Sequence, residues 1–320
     1  MLMRRRLNSV KDYVSFLRRR ALRLLPAYLV CVLVFLGLAA VFFPSSKILS
    51  NQYLLWTMLA NIPTAWGDRS ALGDGNLTLV HFWSLALEWH FYIVFPLILL
   101  LVRSMRTVAF CLILAALASR LYFLSAALPN YDNAIYSFTL CRIDSLGIGA
   151  LLATFKLTND HRLASRVGLV GAGLLMAITL AITSNNTPFK ALTWLQIAGY
   201  PIISLSAAMI IYYILCAKAH DRAIIFLESN LLTKIGRSSY SLYIWHLPFY
   251  PLIVAFAKSQ FESEITQLIF SVVISLLLTC ALAAASYRYL ELKFMYIRPR
   301  KESEKTPLDI EPSLVPGSKQ

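Results

Sequence analysis

Long apolar runs alternate along this chain with short polar or basic segments, and most of the runs can cross a bilayer. A helix rising 1.5 Å per residue needs about 20 apolar residues to span the hydrocarbon. That criterion predicts helices at 24–43, 83–102, 107–127, 140–156, 167–183, 196–217, 238–256 and 266–287. The segment 48–62 is shorter and is interrupted by Asn51, Gln52 and Asn61, so it is expected to lie at the interface or to re-enter. The expected fold class is all-α: a polytopic transmembrane helix bundle of about eight spans, with both termini cytoplasmic. Residues 1–23 form a basic cytoplasmic segment and 24–294 the membrane domain. The charge- and proline-rich tail 295–320 is expected to be disordered.

Certain polar residues break the apolar pattern in register. His81, Ser84, Glu88 and Tyr92 fall at helical spacing and share one face, whereas His90 points the other way. A carboxylate within an apolar span is costly and marks a functional site by default. A second stripe runs through Ser239, Tyr243, His246 and Tyr250. Pro248 should kink the helix there, with His246 near the bilayer midplane. Ser271, Ser275, Thr279 and Ser286 share a face of the last span and read as packing contacts.

Composition agrees with a membrane protein. The chain is 58% hydrophobic and 14% charged with a mean hydropathy of +0.64, against roughly a quarter charged in soluble domains. The net charge of +14 does not point to nucleic acid, because the basic residues cluster beside the apolar runs. With eight spans, Lys47, Arg69, Lys190 and Lys258 lie outside, Arg120 and Arg142 lie within spans, and the other Lys and Arg residues lie inside. The five cysteines are isolated in apolar stretches, and no metal or redox spacing is present. The basic start has no apolar core of its own, so the first span is expected to act as the membrane signal.

Counting residues from helix ends places Glu88 roughly 8 Å, Arg142 roughly 3 Å and Arg120 roughly 10 Å from the outer end of their spans. These three are expected to form a compensated cluster. Arg18, Arg19, Arg20 and Arg23 stand at the inner mouth of the first span. Arg20 and Arg23 share a face and are able to grip phosphate, although on charge alone positive-inside anchoring is the favoured reading.

Five stretches in order resemble the membrane acyltransferase family 3, whose members O-acylate bacterial glycans. They are FLRRRALRLLPAY from Phe16, FWSLALEWHFYIVFPLIL from Phe82, RIDSLGIGALLA from Arg142, IGRSSYSLYIWHLPF from Ile235 and SYRYLELKF from Ser286. The resemblance implies a bacterial inner-membrane enzyme passing an acyl group, acetyl above all, from cytoplasmic acyl-CoA to a glycan or lipid-linked saccharide. Acetyl-CoA is then a co-substrate and no cofactor is bound; membrane lipids are the other partner, and no nucleic acid is expected. It also implies Arg20 and Arg23 as donor-side residues.

Two departures stand out. Members of that family usually carry two earlier helices with an Arg and a His, and this chain starts where the third would. Trp89 and His90 replace the family's usual acid and Gln after Glu88.

Acyl transfer needs a base near the acceptor hydroxyl and charge to stabilise the tetrahedral intermediate. Glu88, Arg142 and His81 are therefore the candidate catalytic residues. Arg20, Arg23, Ser84, Tyr92, Arg120, Tyr240 and His246 are the candidate substrate-binding residues. A carrier or flippase, and a truncated non-catalytic relative, remain open at this level.

Overall fold

The computed structural model describes residues 9–73, 76–126, 128–184, 192–218 and 220–296. The expected disorder of the tail falls almost entirely outside these residues. Among the described residues the elements are helical, with one isolated antiparallel bridge between Gly73 and Thr78. Among the described residues seven helices are long and apolar enough to cross a membrane, and a bent pair supplies an eighth span if counted as one.

The first helix, α1 (Val10–Phe42), begins well before the apolar run. Ser9 caps it by accepting from the Asp12 amide. At 1.5 Å per residue it is about 50 Å long, against about 30 Å of hydrocarbon. Its basic turns are therefore helical and not a separate extended lead-in.

Residues 47–65 form three short helices, α2 (Lys47–Ser50), α3 (Tyr53–Trp56) and α4 (Asn61–Ala65), followed by a 3-10 turn at Arg69–Leu72. None is long enough to span, in keeping with the interruptions by Asn51, Gln52 and Asn61. They pack against the second half of α1, where the Tyr28 hydroxyl donates to the Leu55 carbonyl at 2.8 Å.

α5 (Phe82–Val102) and α6 (Met105–Ala126) follow. The expected span at 140–156 is instead α7 (Tyr131–Ser137) plus α8 (Thr139–Leu152), because Phe138 adopts an extended backbone between them. α9 (His161–Thr183) and α10 (Tyr200–Cys216) pack closely. A Cβ on Gly168 would stand 2.7 Å from that of Tyr213, and one on Gly171 would stand 2.8 Å from the Ser206 carbonyl. Close backbone approach through small residues is how helices associate where water supplies no driving force.

The helices α11 (Arg222–Leu227) and α12 (Asn230–Arg237) are short and have no buried residues. α13 (Ser239–Trp245) and α14 (Tyr250–Gln260) form the bent pair, at 53°, with Pro248 in the break. α15 (Glu264–Ser286) continues through a π turn at Tyr287–Glu291 into α16 (Leu292–Tyr296). A π turn carries one residue more per turn than the α-helix, so hydropathy periodicity does not reveal it.

Candidate functional site

The predicted face of α5 is turned inward against α1 and α13. Near the middle of α5 the Tyr92 hydroxyl donates to a Glu88 carboxylate oxygen. Arg20 of α1 reaches the same hydroxyl at 3.4 Å, and its guanidinium lies 4.7 Å from the centre of the Tyr92 ring. Arg20 and Glu88 are half-buried and Arg23 is exposed.

One turn toward the start of α5, Ser84 is hydrogen-bonded to Tyr243, whose hydroxyl donates to the His81 carbonyl at 2.8 Å. The Ser84 hydroxyl also reaches the His81 carbonyl, at 3.3 Å, so either hydroxyl is able to donate to the other. The His81 ring packs 4.8 Å from that of His246, centre to centre. Arg20, Tyr92, Glu88, Ser84, Tyr243, His81 and His246 thus follow one line along α5.

Two expectations of depth change as a result. Arg20 was expected at the mouth of the first span, but it sits level with Tyr92, halfway along α5. His246 was expected near the midplane. The Pro248 carbonyl accepts from the Thr78 amide, in the loop before α5, at 3.3 Å, which sets His246 level with the start of that helix. Arg20 and the polar face of α5 are therefore in direct contact.

The Tyr240 hydroxyl donates to the Leu24 carbonyl at 2.8 Å and so ties α13 to α1. Beside it Ser241 donates to Glu291, which is 2% exposed and sits in the π turn. The Glu291 carboxylate lies within electrostatic reach of Arg23. Glu291 is the acid of the fifth resembling stretch but was not among the candidate site residues; an acid closing an apolar helix is the signal that marks it.

The arginines of the second zone do not meet Glu88 in an ion pair. Arg120 of α6 pairs at 2.8 Å with Asp144 of α8, and both are buried, at 1% and 0% exposure. Counting Arg120, Arg142 and Glu88 as one cluster overlooked Asp144, two residues from Arg142 and equally embedded. Arg142 lies 4.1 Å from the centre of the Tyr200 ring and 5.8 Å from that of Tyr136. Its NH1 is buried and unpartnered, as is the Tyr200 hydroxyl. Tyr136 also packs 5.0 Å from Trp83, which joins this zone to α5. His90, on the opposite face of α5, bonds Thr139 at 2.8 Å, as does Asn61 at 2.9 Å. No group of three or more metal-ligating side chains occurs among the described residues.

The arrangement offers guanidinium groups at one end, a carboxylate in the middle and two imidazoles at the other end, within apolar helices. Comparison with known proteins places it. The chain is 28% identical over 324 residues to O-acetyltransferase OatA of Staphylococcus aureus strain MRSA252, covering 92% of this chain and 50% of that protein. It is 28% identical over 304 residues to O-acetyltransferase OatA of strain NCTC 8325 / PS 47, covering 88% and 47%. The chain thus spans about half the length of the curated relatives it matches. No solved structure matches it. The family model described as an acyltransferase domain matches residues 2–284, and this multi-pass membrane chain belongs to that family, the one its five stretches resemble.

Proposed function

We propose that the chain is a membrane O-acyltransferase of the bacterial cytoplasmic membrane. It moves an acetyl group from cytoplasmic acetyl-CoA to a hydroxyl of an exported or cell-surface polysaccharide. The observation that carries this reading is the unbroken contact from Arg20 through Tyr92 to Glu88 inside membrane helices. The curated relatives named O-acetyltransferase support the acyl group.

Arg20 and Arg23 hold the donor phosphates, because planar guanidinium forks match phosphate oxygens. Glu88 is fixed by Tyr92 and orients the reacting groups among the apolar helices. Arg142, with a free N–H, supplies positive charge to the acceptor or to the developing oxyanion. The rings of Trp83, Tyr136 and Tyr200 beside it offer faces for a sugar.

The test replaces Glu88→Gln in the producing strain and weighs its glycan by mass spectrometry. Loss of ester-linked acetyl groups with normal protein abundance is expected. Unchanged acetylation overturns the reading. Radiolabelled acetyl-CoA excludes a carrier if the glycan becomes covalently labelled.

A further inference from the structure

Resting on that reading, we infer that His246 is the base that takes the proton of the acceptor hydroxyl, and that His81 is the positioning residue that holds it. The argument starts from the backbone. In an unbroken helix the carbonyl of Ile244 would accept from the amide of residue 248, but Pro248 has no N–H. The His81 side chain fills that vacancy, with Nε2 lying 3.1 Å from the Ile244 oxygen. A carbonyl only accepts, so Nε2 carries the hydrogen, and in the neutral ring Nδ1 holds the lone pair. His246 places Nδ1 2.6 Å from the Tyr243 carbonyl. By the same reasoning its Nδ1 carries the hydrogen and its Nε2 holds the lone pair.

In the neutral ring, each of these hydrogen bonds selects the tautomer and leaves the other nitrogen with the lone pair a base needs. They differ in access. His81 is 5% exposed and its Nδ1 is buried, whereas His246 is exposed. A substrate hydroxyl reaches His246. His81 acts through the Ile244 carbonyl, while the Tyr243 hydroxyl on the His81 carbonyl secures the same segment from the other side.

Reach agrees with this assignment. From Tyr92 to His81 the helix rises about 16 Å, comparable to an extended pantetheine arm. Phosphates held at Arg20 thus leave the thioester near the imidazoles. The acceptor oxygen attacks the thioester carbonyl as its proton passes to Nε2 of His246. The carbon–sulfur bond then breaks, and the leaving thiolate takes that proton. The products are an ester and free thiol, with no redox partner needed.

The experiment uses the full chain in membrane vesicles, with labelled acetyl-CoA and the producing cells' own surface polysaccharide stripped of esters by mild base. Transfer and acetyl-CoA binding are measured separately for wild type, His246→Gln, His81→Gln and His81→Leu. His246→Gln should bind acetyl-CoA normally yet transfer about a hundredfold more slowly or worse. His81→Gln keeps an N–H for Ile244 and should retain most of the rate, while His81→Leu should lose it. If wild type transfers and His246→Gln does too, the base assignment is overturned and the proposed function stands. If His81→Gln is as impaired as His246→Gln, the division of roles is overturned. If wild type neither binds acetyl-CoA nor transfers, both readings fall together.

Discussion

Two polar zones lie within these apolar helices, and they treat charge in opposite ways. Between α6 and α8, Arg120 and Asp144 are sealed from solvent at 2.8 Å and their charges cancel. Between α1, α5 and α13, the charges are spread along a line, linked through hydroxyls, and exposed or half-exposed at Arg20, Arg23 and His246. A buried ion pair with no access to the outside supports the fold. A line of partly satisfied groups open at its ends is suited to receiving a substrate.

Mutation should separate the two. Asp144→Asn leaves the Arg120 charge buried without a counter-ion and should cost about 3–5 kcal/mol. The readout is a collapse in folded, detergent-extractable protein, and Arg120→Met combined with Asp144→Leu should restore much of it. If Asp144→Asn instead leaves folded yield intact and removes only transfer, the contrast between the zones is broken.

Tyr92→Phe should do the reverse. It removes one hydrogen bond to a carboxylate, about 1.5–3 kcal/mol, and should slow transfer roughly tenfold or more at unchanged protein yield.

The smallest effect is expected at Tyr200→Phe, which keeps the ring under Arg142 and removes only an unpartnered hydroxyl. A change in melting temperature corresponding to less than about 1 kcal/mol is expected. A large loss of transfer there would show that the hydroxyl meets the substrate and would extend the open zone to α10.

The sequence showed what was periodic. His81, Ser84, Glu88 and Tyr92 fell on one face by spacing alone, and that face is the one turned toward α1 and α13. The short segment from 48 to 62 declared itself through its polar interruptions. What stayed hidden depended on which helix faces which. Depth counting put Arg120 level with Glu88, but packing turned Arg120 toward α8, where Asp144 waits. Nor could a hydropathy scale show that Arg20 lies beside the middle of α5, because the offset between two helices is a tertiary property. The π turn at Tyr287–Glu291 was invisible for a simpler reason, since a widened turn leaves no mark on hydropathy periodicity.

That turn bears on genetics. The loop of backbone at Tyr287–Glu291 holds one residue beyond what a regular helix would need. Deleting a single codon there lets the backbone close into a regular helix and keeps the following turns in phase. The same deletion in the regular helix before it would instead swing everything downstream by about 100° and turn Glu291 away from Ser241.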